Sequence, residues 1–269
     1  MNNPDDENIA DMEHTPSSDV LESLIDSGLH EINRERSGLL LSGLSAGLDI
    51  GFGPLMMAVV LTLSTGGYGD LGTELLLASV YSIGFMFVIM GRSELFTEHT
   101  TLAVIPVLDG KASLGELGRL WVLVYVGNVV GGLLFTMLVV LLLPGLGVVN
   151  PEAFETIALK LLDHDALWLL MGGLFAGWLM GLLAWLFTAA RDTTSRLLII
   201  WIVTATIGLL HLPHSIAGNV EVLFGLFISP AITPIDYIVF LALATVGNAF
   251  GGAIFVALLK YGHVIRGAK

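Results

Sequence analysis

A chain of 269 residues with 55% hydrophobic residues, only 13% charged residues and a mean hydropathy of +0.84 carries too little charge to coat a water-soluble surface. The absence of cysteine excludes disulfides, thiol chemistry and cysteine-based metal sites, and a net charge of −13 argues against a nucleic-acid partner. About six membrane crossings of roughly 20 residues fit this length, and no cleavable leader is expected ahead of the first long apolar run near Leu39.

Residues 1–38 hold ten acids and two arginines, a net −8, and read as an acidic cytoplasmic tail. Residues 1–14 are expected to be disordered. A helix is predicted from Thr15-Pro16, because proline suits a first helical turn. Val20, Leu21, Leu24, Ile25, Leu29 and Ile32 then form an apolar stripe at helical spacing. The acidic opposite face favours docking on protein over anionic lipid. Scarce lysine (Lys111, Lys160, Lys260 and Lys269) against many acids is a composition suited to high salt.

Residues 39–269 read as the transmembrane channel domain. Its apolar segments fall at about 39–63, 75–108, 117–143, 166–190, 197–229 and 236–261, so the fold class is all-α with six membrane helices. The second and fifth are too long for one straight span and too short for two. Each is interrupted, by Gly91 to Thr100 and by Gly208 to Ser215. Irregular backbone at membrane depth is tolerated where it faces protein or a water-filled cavity, so paired breaks point to a permeation site. Arg34, Arg36, Lys111, Arg119, Arg191, Arg196, Lys260, Arg266 and Lys269 fall on one side and only Lys160 on the other, which predicts both termini cytoplasmic.

The chain repeats itself over about 39–143 and 166–261. Val126 to Phe135 matches Val246 to Phe255, and Ala46, Gly47 and Gly51 match Ala176, Gly177 and Gly181. Gly91 lies six residues before Thr97 and Gly208 six before His214, which pairs Thr97 with His214 as counterparts. Three spans per half require the halves to be inverted.

His214, an ionisable group between apolar stretches, is the leading candidate: its imidazole can present an N–H to an anion or exchange a proton with a weak acid. Thr97 offers a hydroxyl to His214 or to a solute, and equally a helix cap. Asn128 and Asn248 are buried amides expected to tie the broken loops to the bundle. Of the charges within or near apolar segments, Arg119 with Glu98 or Glu221, and Arg92 with Glu94, are candidate ion pairs. His211, His214, Glu98 and His99 are rejected as a metal site, because they sit on broken backbone without a ligand framework. Ile207, just ahead of the second break, completes the candidate pore lining. No cofactor is expected.

At these residues the sequence resembles the formate/nitrite transporter family, over about 36–262. The likeness rests on Leu95-Phe96-Thr97, on His214-Ser215-Ile216-Ala217, on Val124-Tyr125-Val126-Gly127-Asn128 with Gly131-Gly132, and on Gly247-Asn248 with Gly251-Gly252. It implies an aquaporin-like fold, one pore per protomer, a homopentamer in the plasma membrane, and formate, nitrite, hydrosulfide or related small acids as solutes. Carried over, Thr97 and His214 flank a central chamber, Leu95 and Phe96 help form an apolar constriction, and Asn248 lies on the wall. The sequence departs from the family pattern at Arg119, where lysine is usual, at Pro213 in place of an acid, and at Gly218 with Asn219 displaced by one. Glu98 and Glu221 are new charges. A channel or transporter for small monovalent anions is the expected function. A neutral-solute or water pore is the alternative if Glu98 and Glu221 repel anions, and a membrane-embedded metalloenzyme or sensor is the alternative of another class.

Overall fold

The computed structural model describes residues 15–64 and 69–267, and the expected disorder of residues 1–14 lies outside them. The described residues are helical and contain no strand. In chain order the helices are α1 Ser17–Ile32, α2 Arg36–Ile50, α3 Phe52–Leu63, α4 Leu71–Met90, α5 Phe96–Leu102, α6 Val104–Leu108 and α7 Leu114–Leu142. They continue with α8 Pro151–Leu162, α9 Ala166–Ala189, α10 Thr193–Leu209, α11 Ser215–Ile228, α12 Pro234–Phe250, a π-helical stretch Gly251–Leu258 and α13 Leu259–Gly267.

Five continuous runs among the described residues are long and apolar enough to cross a membrane: Arg36–Leu63, Leu71–Met90, Leu114–Leu142, Ala166–Ala189 and Pro234–Gly267. The second and fifth predicted segments are each broken, the fifth into α10 and α11, which are shorter apolar helices. Side-chain caps start several helices where the apolar runs begin. Ser113 and Glu116 form a capping box at α7, Thr233 and Asp236 one at α12, and Asp70 accepts from the Thr73 N–H at α4.

Along α7, Val122, Val126, Val130, Leu134, Leu138 and Leu141 recur at helical spacing and are exposed. Such a ridge belongs in hydrocarbon or against another apolar surface, since water penalises contiguous apolar area.

Two helix pairs form the frame of the bundle: α2 packs along α7, and α9 along α12. Both rely on a glycine at the crossing. A Cβ at Gly47 would run into the Asn128 carbonyl, and a Cβ at Gly177 into the Asn248 carbonyl. Only the missing side chain lets the backbones approach this closely.

The apolar stripe of α1 docks on protein, as its charge pattern implies. Val20, Leu21, Leu24 and Ile25 are buried with Leu102, Ile105, Trp185, Val256 and Val264. Helix α8 covers the other end of the molecule, burying Phe154 against Phe224 of α11 with ring centroids 4.6 Å apart.

Candidate permeation site

The two breaks are built alike. At the first, Arg92 takes a positive φ of 60°, its N–H donates to the Ile89 carbonyl, and the Ser93 N–H reaches back to Val88. At the second, His211 has φ 49°, its N–H donates to Gly208, and the Leu212 N–H reaches back to Ile207. Each is a left-handed helix stop that satisfies the last carbonyls of a broken span.

Beyond each stop an asparagine from the same half of the chain holds the extended segment. Asn128 Oδ1 accepts from the Phe96 N–H at 2.8 Å, and its Nδ2 donates to the Gly43 and Glu94 carbonyls, both at 2.8 Å. Asn248 Oδ1 accepts from the Ser215 N–H at 2.8 Å, and its Nδ2 donates to Gly173 and Pro213 at 2.8 and 2.9 Å. Both amides are fully buried and both N–H hydrogens of each are committed to backbone. Neither has a donor left for a solute, so their place in the candidate lining is that of a brace behind it.

These bonds also correct the repeat register. Residues 92, 94 and 96 correspond to 211, 213 and 215, an offset of 119, so the counterpart of His214 is Leu95 and not Thr97. Matching Gly91 to Gly208 misplaced the register by two residues, because neither glycine occupies the left-handed position of its break.

Thr97 and His214 instead meet face to face. Thr97 Oγ1 lies 2.9 Å from His214 Nε2, and both residues are buried. His214 is also the cap of α11: its Nδ1 accepts from the backbone N–H groups of Ile216 at 3.3 Å and Ala217 at 3.1 Å. A backbone N–H can only donate, so Nδ1 carries the lone pair and the ring hydrogen sits on Nε2. That hydrogen points at Thr97. The Phe85 ring packs edge-on against the imidazole with centroids 5.0 Å apart.

Two cavities lie near this contact, and Thr97 and His214 line neither of them. One, of about 570 Å³, is lined by Leu24, Glu31 and Arg34 at the α1 end, by Arg92, Glu94 and Glu98 of the first break, and by Phe187 of α9. The other has room for about 10 Å³, one water, and is lined by Met57, Tyr81, Lys160, Ile207, His211 and Glu221. Helix α4 runs between them: Tyr81 lines the second, whereas Ile89, near its last residue, lines the first. Leu95 and Phe96 are buried between chain segments, with the Phe96 ring edge-on to Tyr125 and Trp121 at 5.1 and 5.7 Å.

The expected ion pairs are replaced by others. Arg119 pairs with neither Glu98 nor Glu221; it donates to the Ile32 carbonyl, one of the last carbonyls of α1, which has no partner within its own helix. Arg92 does not hold Glu94. Arg34, from the α1–α2 connection, reaches Glu94 at 2.5 Å and Glu31 at 2.6 Å, and His99 Nε2 meets the other Glu94 oxygen at 2.5 Å. This chain of four joins α1 to the first break. Its sequence separations gave no signal of it. Outside the spans, burial and then the nearby Glu94 push the Glu31 carboxyl above its ordinary value, and the hydrogen bond to Glu31 raises Arg34. Tyr81, also unanticipated, stands over the second chamber.

The pattern of the family described as formate/nitrite transporter matches residues 18–262. The chain belongs to the formate/nitrite transporter family. The inner membrane protein YfdC of Escherichia coli (strain K12) is 30% identical over 251 residues, which is 91% of this chain and 78% of that protein. A solved FNT family ion channel superposes with a TM-score of 0.81 at 22% identity, over 91% of this chain and 99% of its own, a likeness of fold. A pentameric formate channel with formate bound superposes with a TM-score of 0.72 at 25% identity, over 86% of this chain and 98% of its own. Membership in the formate/nitrite transporter family makes the protein a multi-pass membrane channel or transporter for small anions or their weak acids, and not an enzyme.

Proposed function

We propose that the chain conducts formate, nitrite or a similar small monovalent anion between the two chambers, past the Thr97–His214 contact. The observation that carries this reading is the Nε2–H of His214, held toward Thr97 beside Phe85 of α4, the helix whose Ile89 lines the larger cavity and whose Tyr81 lines the smaller. A bare anion loses its hydration in an apolar waist, at a cost of several kcal/mol. A fixed N–H and the Thr97 hydroxyl offset part of that cost, because hydrogen bonds to an ionised group are the strong ones. Capping by two amides keeps the ring hydrogen on Nε2, so His214 acts as a fixed donor that exchanges Thr97 for the solute. Leu95 and Ile207 contribute apolar wall, and Asn128 and Asn248 hold both breaks in place.

In this reading six crossings form two inverted halves, with residues 1–38 and the C-terminus on the cytoplasmic side of the plasma membrane and residues 39–269 forming the channel domain. The two matching breaks support the repeat. Five protomers surround a common axis, as in the formate channel of similar fold, and the apolar ridge of α7 supplies surface for lipid or neighbours.

Proteoliposome flux tests the assignment. Formate and nitrite are expected to pass well above protein-free background at pH 5.5 and pH 7.5, and glycerol to remain at background. Glycerol passage without anion passage would establish the neutral-solute pore instead, the outcome that uncompensated acids in the chambers favour.

A further inference from the structure

Tyr81 of α4 is only 3% exposed and lines the smaller cavity, yet among the described residues its hydroxyl hydrogen-bonds to no protein group. A buried phenol O–H normally finds a partner, so one left without it is available to water or to a ligand. Packing alone holds the ring in place. A Cβ at Gly208 would press on Tyr81 Cδ1 at 3.1 Å, and one at Gly53 would meet the Tyr81 carbonyl at 2.5 Å. The Phe85 ring, one turn further along α4, packs against it with centroids 5.2 Å apart.

Phe85 joins this phenol to the central contact, since its ring also lies 5.0 Å from that of His214. The Nε2–H of His214 stays aimed at Thr97, so it offers nothing to the smaller cavity. Of the polar groups that line that cavity, His211 holds Glu74 at 3.1 Å. Lys160 and Glu221 bring one formal charge of each sign, so the wall is not acidic on balance. Met57, Ile157, Leu161 and Ile207 make the rest of it apolar. The space, about 10 Å³, holds one water. One oxygen of formate or nitrite fits where that water would sit, whereas a chloride ion is wider than a water molecule.

We infer that Tyr81 is a specificity residue, a second station whose O–H binds one oxygen of the bare anion in the smaller cavity and so favours formate and nitrite over chloride. The inference rests on the pathway proposed above. At the central contact the anion takes the Nε2–H of His214 and the hydroxyl of Thr97. Past the Phe85 ring it exchanges them for the phenol O–H, and no proton changes hands at either station. A hydrogen bond from a hydroxyl to a charged oxygen is short and strong. The phenol forms it only with an atom small enough to enter the water-sized space, which is where an oxygen and a chloride ion part ways.

Tyr81→Phe removes this O–H and keeps the ring against Phe85 and Gly208. Because the hydroxyl bonds to no protein group, the variant should melt and elute like the parent. Formate and chloride flux are measured over a range of concentrations in proteoliposomes of each protein. The formate concentration for half-maximal flux is expected to rise by roughly tenfold in the variant, the loss of one hydrogen bond to a charged group. Chloride flux should hold at the parent level, so the formate-to-chloride ratio falls with it. Infrared difference spectra of the purified parent give a readout independent of transport: formate should shift one tyrosine C–O band that chloride leaves in place and that Tyr81→Phe lacks. A parent that carries formate while the variant keeps its half-saturation and ratio, or a tyrosine band that formate does not move, overturns the inference alone. So does a variant that slows formate and chloride alike. A parent that carries no formate overturns the pathway and the inference together.

Discussion

His214→Phe is expected to lower formate flux by roughly ten- to hundredfold, the rate equivalent of the about 1.5–3 kcal/mol that a hydrogen bond to a charged group contributes. Phenylalanine fills the space beside Phe85 but removes the Nε2–H that faces Thr97. It also removes the acceptor for the Ile216 and Ala217 N–H groups, and loss of a helix cap costs about 1 kcal/mol. His214→Asn separates the two effects. Its carbonyl oxygen can cap α11 while its NH₂ still offers a hydrogen toward Thr97. The Asn variant should therefore melt near the parent temperature and keep much of its flux, with the parent's pH dependence. A flattened pH profile in His214→Asn would assign proton exchange to the ring itself, against the fixed-donor role. Flux of His214→Phe equal to the parent at both pH values would remove the histidine from the mechanism.

Asn248→Leu is expected to prevent assembly of a stable protein. Leucine is close in size, so the change removes hydrogen bonds and little volume. The Ser215 N–H and the Pro213 carbonyl then lose their partner at once, and the Gly173 carbonyl is left with the bond inside its own helix. The side chain is fully buried, so water cannot replace it. Each orphaned group costs about 1–3 kcal/mol, and the sum approaches the roughly 5–15 kcal/mol that holds a typical domain together. Asn128→Leu should behave the same way through Phe96, Gly43 and Glu94. Ser215→Ala is the matched control. The Ser215 hydroxyl has no hydrogen-bond partner, so its loss should change stability by no more than about 0.5 kcal/mol. Thermal unfolding in mild detergent, read with gel filtration, checks all three, and an Asn248→Leu protein that elutes and melts like the parent would show that the brace is dispensable.

The apolar segments were legible in the sequence because hydrocarbon forbids charge, and the breaks because Gly91 to Thr100 and Gly208 to Ser215 interrupt runs too long for one helix. The structure narrows each break to a few residues: helices resume at Phe96 and Ser215, not beyond Thr100. The stripe of α1 was legible for the same reason of spacing. Helix α8 was missed although Asn150-Pro151-Glu152 is a helix start and Ala153, Phe154, Ile157, Ala158 and Leu161 are its buried face. The repeat register failed because glycine marks close helix packing as often as it marks a left-handed turn, and here Arg92 and His211 make the turns. The partners of Glu94 were out of reach of sequence reasoning. Arg34 lies sixty positions away and is brought in only when α1 docks. Arg119 was assigned an acid on charge alone, whereas an unsatisfied helix-end carbonyl takes it.

In the proposed pathway two separate cavities open to opposite sides of the membrane and are joined past Thr97 and His214. The chain has no native cysteine, so single cysteines report without background. Ser93→Cys, in the larger cavity, and Leu212→Cys, partly exposed at the smaller one, should be labelled in proteoliposomes by a small charged thiol reagent added to one side or the other. Ser93→Cys is predicted to react from the side of the termini only, Leu212→Cys from the opposite side only, and formate to slow both. Labelling of both cysteines from the same side, or rates untouched by formate, would contradict the pathway.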